Sequence, residues 1–410
     1  MSETSRQLRD LLEAAVGEPP RTVTVQAVRR RVTRRRIIES VAAAIVAVLV
    51  AGLGVAVAVR ASGSGQASGP RPPAGVPRYY VEQGFRNAPP AVTVIRATAT
   101  GAVTAAVHCP GQGVSILDGG IAASSHRTFF LVCEEQTGPR NDPQVTGSRI
   151  YRFHLTATGR IARYTLMPGG SLDGLSVSGV TASADGAEVA VTTSPAGPVN
   201  SSVPTDIMVI NTQSGTRALW HGSPAVPGKM ALSAGDPSLT ADGRELVYLA
   251  TPRCIRGHCQ PTGNGQEVRA LSPAAAGGQL SSSRILARQS ALVPLASGYL
   301  DGALVSANGS SVFVLEMNSP PRGGSTTVSV VKVSAATGRP LRVVYRVPTG
   351  NGFLFRFFSA DPFRRYLLLE AGPPSGALVV HTFHQQSGAA AHPEVVSQLL
   401  LDGVQLCAHI

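Results

Sequence analysis

The chain has 410 residues, with 36 basic against 24 acidic side chains, a formal net charge of +12 and only 15% charged residues. Its 44 Gly and 30 Pro are too many breakers for a mostly helical protein and too aperiodic for collagen, and 43% hydrophobic content excludes wholesale disorder. The length exceeds one ordinary domain, so it points to several domains or to one large repeat domain with appendages.

Residues 1–36 form a basic leader predicted to be cytoplasmic. Leu8, Leu11, Leu12 and Ala15 recur at helical spacing until Pro19-Pro20 stops the pattern. This short helix either docks a cytoplasmic partner or lies on the anionic membrane surface. Six arginines, Arg29, Arg30, Arg31, Arg34, Arg35 and Arg36, fall in one octet. No aromatic residue interleaves with them, which argues against a base-stacking groove, and the charge beyond residue 60 is spread without a cluster. Nucleic acid is therefore excluded as the expected partner.

Residues 37–60 are predicted to be a transmembrane helix. Ser40 to Val59 holds no charge, and 20 helical residues span about 30 Å of hydrocarbon. The arginine octet places the N-terminus in the cytoplasm and the rest of the chain outside the cell membrane, which makes this a single-pass anchor. Two alternatives compete. Ala56-Val57-Ala58 has the form of a signal-cleavage site, although the leader and apolar run exceed the usual lengths. Thr33-Arg34-Arg35-Arg36-Ile37-Ile38 also has adjacent arginines of the twin-arginine kind. Zinc-binding anti-sigma factors carry leaders of similar size, but no Cys or His precedes His108 here. Residues 61–77, ASGSGQASGPRPPAGVP, cannot bury a core and read as a flexible Gly/Ser/Pro linker.

Residues 78–410 are predicted to be an extracytoplasmic repeat domain. One turn recurs ahead of β-rich segments: Asp185-Gly186, Asp242-Gly243, Asn308-Gly309 and Asp361-Pro362, with a degenerate copy at Ser124-Ser125-His126. Asp-Gly and Asn-Gly are hairpin turns because their central positions need positive φ. A second type, a polar or small residue followed by Gly, interleaves at Gly101, Gly159, Gly215, Gly277, Gly338 and Gly388. Two hairpins, or four strands, in each period of about 60 residues are the signature of propeller blades. The fold expected is all-β, a six-bladed β-propeller of four-stranded blades behind the N-terminal transmembrane helix. Six turns of one kind against five of the other imply that Asp402 to Ile410 supplies an inner strand to the blade containing Tyr79-Tyr80-Val81, closing the ring and removing a sheet edge.

On the turns Asp185-Gly186, Asp242-Gly243 and Asn308-Gly309, residues 78–410 resemble the WD40-like and TolB-like propellers of bacteria. The Trp-Asp and Gly-His signatures of true WD40 blades are absent, and Trp220 is not followed by Asp. The full layout also looks like uncharacterised membrane proteins of high-GC bacteria. That resemblance implies a fold and a location, and no chemistry.

All five cysteines lie beyond the expected membrane helix, where disulfides persist. Cys254 and Cys259, the ends of the six-residue segment CIRGHC, read as a small disulfide-closed loop between the second and third strands of their blade. Cys109 and Cys133 are a second candidate pair from neighbouring blades, and Cys407 is left as a buried free thiol. No metal or cofactor is expected, since His258 with two thiols falls short of a ligand set. Ser329 and Lys332 match Ser-x-x-Lys spacing, but residues three apart on a strand face opposite ways, and the same holds for His381 and His384. The repeated turn residues Asp185, Asp242 and Asp361 are explained by turn chemistry. Glu134-Glu135 reads as a solvated strand end. No catalytic residue is assigned. The expected function is a membrane-tethered, non-catalytic module that binds a protein, peptide or cell-envelope ligand on an axial face. The alternative is a propeller hydrolase or lyase with a site built from loops, which converging acids with perturbed ionisation would favour.

Overall fold

A computed structural model describes residues 77–84, 93–98, 102–111, 114–125, 127–137, 144–197, 205–222, 230–254, 265–292, 298–318, 326–349, 354–372, 378–385, 394–400 and 406–409. The leader with its arginine octet, the expected membrane helix and residues 61–76 of the linker lie outside the described residues. Among the described residues no helix is long and apolar enough to cross a membrane.

The strands fall into antiparallel meanders, one per repeat. They are β1 (Tyr79–Gly84), β2 (Thr93–Ala97) and β3 (Val103–Val107); then β4 (Val114–Ala123), β5 (Thr128–Thr137), β6 (Gln144–Leu155) and β7 (Ile161–Asp173). Next come β8 (Leu175–Ala182), β9 (Glu188–Pro195), β10 (Asp206–Asn211) and β11 (Arg217–His221), followed by β12 (Met230–Leu239), β13 (Leu246–Cys254) and β14 (Glu267–Leu271). A short β15 (Gly277–Gln279), a 3-10 turn (Leu280–Ser282), β16 (Arg284–Arg288) and the four-residue α1 (Gln289–Leu292) precede β17 (Tyr299–Val305), β18 (Ser311–Asn318), β19 (Thr326–Ser334) and β20 (Pro340–Thr349). The last meander is β21 (Leu354–Ala360), β22 (Tyr366–Gly372), β23 (Leu378–Gln385) and β24 (Glu394–Leu400), and β25 (Leu406–His409) follows it.

β25 pairs antiparallel with β1, from Val81 opposite His409 to Gly84 opposite Leu406. The end of the chain thus supplies the inner strand of the first meander, as the turn count implied. The inner strands touch in sequence, β4 with β8, β8 with β12, β12 with β17, β17 with β21 and β21 with β25, and β25 returns to β4. This cyclic arrangement around one axis is a β-propeller. The expectation of uniform four-stranded blades needs correction: five sheets have four strands, and the sheet of β8, β9, β10 and β11 has five.

The exception comes from Gly277, which does not close a hairpin. The residues after it form β15, which adds in parallel to β11 of the preceding sheet, and β14 pairs instead with β16. Packing explains the diversion. Leu280 is fully buried against Trp220, Tyr248 and Leu271 between the two sheets. Arg269 Nη1 donates to the Ser283 carbonyl at 2.9 Å, the Tyr248 hydroxyl bonds Ser283 Oγ at 2.6 Å, and Glu267 neutralises Arg269 at 2.7 Å. A buried ion pair of this kind is retained only when its remaining donors are satisfied, as they are here by the 3-10 turn.

The core lies between neighbouring sheets, not within one. Along β18, Val312 and Val314 pack toward the β13 and β14 strands, whereas Phe313, Leu315 and Met317 pack toward the sheet of β21 and β22. Both faces are covered, so the strand SVFVLEMN is apolar almost throughout, without alternation. Truncating the fully buried Phe313 to Ala would cost about 3 to 5 kcal/mol. Outer strands have little to pack against, and on β20 Leu341 and Val343 are exposed.

The Asp-Gly and Asn-Gly hairpins form, but the expectation of positive φ at both central positions is corrected: the glycine alone has it, and Asp185, Asp242 and Asn308 do not, because the glycine closes a turn that begins three residues earlier. Gly186, Gly243 and Gly309 hold φ of 70°, 72° and 70°, and each donates its N–H to the residue three before it, Ser183, Thr240 and Ser306 respectively. Asp361 departs from this pattern. Arg364 N–H donates to the Asp361 carbonyl at 2.8 Å, so Asp361 stands where the other turns have Ser or Thr, and Arg364 stands where they have Gly. The apparent match of Asp361 with Asp185 and Asp242 is therefore out of register. Arg364 adopts φ 55°, the only positive φ outside glycine among the described residues, which costs a residue with a Cβ about 1 to 2 kcal/mol.

Candidate axial site

In every complete meander the inner strand runs toward its Asp-Gly-type hairpin, so both kinds of tight turn lie at one end of the axis. The starts of the inner strands, and the connections between second and third strands, lie at the other. Asp185, Asp242 and Asn308 are thus turn residues at the first end. Asp185 Oδ1 accepts from Ser183 Oγ and the Ala187 N–H, and Asn308 Oδ1 accepts from Ser306 Oγ and the Ser310 N–H. The Thr240 hydroxyl bonds Asp242 at 2.7 Å and holds its carboxyl below the usual carboxylate range.

A different set of groups faces the axis. The inner strands slip register against their partners at Val177/Gly179, Ala234/Pro237, Leu300/Gly302, Phe355/Phe357 and Ile116/Ile121. A bulge leaves a residue unpaired and re-aims its side chain. Ser178, Asp236 and Asp301 occupy three of these bulges and are exposed although they sit on inner strands. Neighbouring sheets fix the bulged backbone. Thr192 Oγ1 donates to the Gly235 carbonyl at 2.8 Å, and Thr205 Oγ1 to the Ala234 carbonyl at 2.8 Å. The Gln266 amide clamps Leu300, its Nε2 donating to the carbonyl at 2.7 Å while its Oε1 accepts the N–H at 2.6 Å. Gly179 leaves the space that Asp236 occupies, since a Cβ there would collide with the Asp236 carboxylate.

The electrostatics follow from this placement. Asp236 is exposed on an inner strand, yet the atoms packed around its carboxylate leave the charge poorly solvated. That desolvation, with the Asp301 carboxylate on the next inner strand adding repulsion, pushes its pKa up to about 6. Desolvation also raises Asp301, and it raises Tyr299 at the start of β17, where the Asp301 charge contributes. Among the described residues no group of three or more side chains could hold a metal ion.

These acids went unnoticed in the sequence, although a signal was there. Asp118-Gly119, Ser178-Gly179 and Asp301-Gly302 recur in first strands, with Gly235-Asp236 in reversed order. Aligning first strands as well as turns would have found it.

The other expected sites are placed as follows. Cys109, just after β3, and Cys133 on β5 form a disulfide between neighbouring sheets, with Cα atoms 5.8 Å apart. Cys259 and the side chain of Cys254 lie outside the described residues, as does the side chain of Cys407, which stands opposite Gln83 on β25. Ser329 and Lys332 share no site: Ser329 Oγ accepts from Arg346 Nε at 3.2 Å, and the Lys332 ammonium lies 5.8 Å from the Phe313 ring. The solvated reading of Glu134 is corrected. It is buried on β5, where Ser176 Oγ donates to it at 2.5 Å beside the Ser178 bulge, and Glu135 pairs with Arg149 at 3.0 Å.

No protein-family model and no curated protein sequence matches the chain. Solved structures that resemble it include an oligogalacturonate lyase of Vibrio parahaemolyticus (TM-score 0.41, 10% identity, 72% of this chain and 71% of that one). They also include a prolyl endopeptidase (0.35, 18%, 71% and 43%) and a putative dipeptidyl aminopeptidase IV of Bacteroides ovatus (0.37, 8%, 77% and 45%). The chain spans less than half the length of these two peptidases. Likeness at this level accords with a propeller fold and carries no argument about activity.

Proposed function

We propose that this chain is a membrane-tethered, extracytoplasmic propeller of six blades, WD40-like or TolB-like, that takes a ligand at the open end of its axial channel. The observation that carries the reading is the pair Asp236 and Asp301, unpaired bulge carboxylates on neighbouring inner strands. Carboxylates so placed favour a ligand that offers hydrogen-bond donors or positive charge, such as a basic peptide segment or a hydroxyl-rich envelope component. The Cys109–Cys133 disulfide supports an oxidising compartment, and the uncharged run after the arginine octet supports the anchor. Protease added to intact protoplasts should then degrade the propeller and spare the leader, whereas a protected full-length chain would contradict the orientation.

A second reading, a hydrolase or lyase, is favoured by one feature: Asp236 ionises close to neutrality and can hold or release a proton beside a second carboxylate. One experiment separates the two. The purified domain and its Asp236→Asn/Asp301→Asn variant are titrated with basic peptides and with envelope oligosaccharides, while products are followed. Binding without turnover, lost in the variant, supports the module. Turnover that falls in Asp236→Asn alone supports the enzyme. Equal binding by both proteins would remove the axial site from consideration.

A further inference from the structure

Arg364 is a costly choice for its place. At the same turn position three other hairpins keep Gly at φ near 70°, and Arg364 adopts φ 55° with a full side chain. Glycine would suit this turn better, so the reason for arginine must lie at the other end of the side chain. That end is buried, with the residue 7% exposed, and it leaves its own sheet altogether. Nε donates to the Leu239 carbonyl of β12 at 2.9 Å, and Nη2 donates to Thr181 Oγ1 of β8 at 3.0 Å. Thr181 Oγ1 also receives the Leu239 N–H at 3.4 Å, so three sheets meet at one node. Around the ring of inner strands, β8 is three steps from β21 in either direction, through β25 and β4 or through β17 and β12. The guanidinium therefore crosses the axis.

We propose that Arg364 is a latch across the ring, fastening the last complete meander to β8 and β12 on the far side and closing the turn-side end of the axial channel. The bonds fall on the final residues of the inner strands, Leu239 being three positions beyond Asp236 on β12, or about 10 Å along the strand. The latch thus leaves the opposite end as the way to the carboxylates. It also supplements the strand closure of β25 with β1 by a bond that does not involve the chain end. A planar fork of five donors can engage a carbonyl and a hydroxyl on two strands at once, which an ammonium point charge does less well. Burial lowers the Arg364 pKa to about 10, with Asp361 opposing the shift, so the group stays charged at neutral pH. The latch does not depend on what the axial site binds.

The test sets the turn against the latch. If Arg364 were only a turn residue, Arg364→Gly would relieve the backbone and melt at or above the parent temperature. The latch predicts that Arg364→Gly lowers the melting temperature by about 3 °C or more, and that the Leu239 amide exchanges with solvent at least about tenfold faster. Arg365→Gly, in the same turn but without bonds across the ring, should change neither. Thr181→Ala should cost less in the Arg364→Gly background than in the parent, because the two share one bond. Should Arg364→Gly not accumulate as folded protein, Arg364→Lys and the single Thr181→Ala provide the same Leu239 exchange reading. Unchanged melting and unchanged Leu239 exchange would overturn the proposal.

Discussion

The Cys109–Cys133 disulfide is the sharpest place to test how the repeats are held together, because its contribution can be worked from the chain itself. It joins the end of β3 to β5 across 24 residues. Chain-entropy arithmetic for a closed loop of that size gives about 3.5 kcal/mol at 25 °C, which is a large part of an ordinary stability margin. Cys133 is fully buried among Val81, Ile95, Ile121 and Phe129, so the test pair is Cys109→Ala/Cys133→Ala, since Ser would bury a hydroxyl there. For a domain of this size the loss corresponds to roughly 5 to 10 °C in melting temperature by scanning calorimetry. Adding reductant to the parent should bring it down to the variant, and reductant should leave the variant where it is. Alkylation of both cysteines without prior reduction, or a variant melting at the temperature of the oxidised parent, would refute the reasoning. Either result would also weaken the case that the domain folds in an oxidising compartment.

Removing residues 402–410 strips β1 of its inner partner, and the cost should be several kcal/mol, given about 1 to 3 kcal/mol for each buried backbone group left unpaired; a cooperative melt at the parent temperature would show that the ring closes elsewhere. Asp236 ionises near pH 6 in the folded protein against an ordinary 3.8, so the native state holds more protons in between, and its contribution to stability falls as pH rises from about 4 to 6. Asp236→Asn should flatten that part of the difference in stability between parent and variant, and an unchanged slope would mean that the carboxylate is freely solvated. Glu316, buried with Oε1 lacking a hydrogen-bond partner, ionises near pH 7, so Glu316→Gln should stabilise the protein most at pH 8 and least at pH 4 in chemical denaturation. Gly179→Ala should displace the Asp236 carboxylate, shifting its titration by NMR while leaving the Asp301 backbone shifts in place.

The repeat was legible because its markers are local. A turn that needs positive φ at one position favours Gly there, so Asp185-Gly186, Asp242-Gly243 and Asn308-Gly309 could be located without knowing a single contact. The same locality misled at two points. Gly277 sits at positive φ, as a turn glycine should, but the residues after it leave the expected hairpin to bury Leu280 between two sheets, and the fourth strand is supplied by β16 instead. Asp361 precedes a proline where its counterparts precede glycine, and the identity of the acid concealed a shift of register that only the hydrogen bond from Arg364 reveals.

The axial carboxylates are marked in the sequence only by a recurrence across repeats, and for a deeper reason. A period-2 reading assigns each strand residue to one of two faces, and near the axis of a propeller that division fails, because an inner strand has a third direction, toward the centre of the ring. A bulge is what gives a side chain access to it. Ser178, Asp236 and Asp301 reach it one strand after another, and the bulges of Asp236 and Asp301 depend on groups donated by the preceding sheet, Thr192 and Thr205 for the first and Gln266 for the second. The position of a carboxylate therefore belongs to pairs of repeats, and no single repeat encodes it. The same dependence makes the site sensitive to the ring as a whole: any slip between β12 and β17 alters the distance from Asp236 to the Asp301 charge that raises its affinity for protons. A device that ties opposite sides of the ring at the far ends of the inner strands, as Arg364 does, limits that slip more directly than added packing at the outer edges, where Leu341 and Val343 stay exposed.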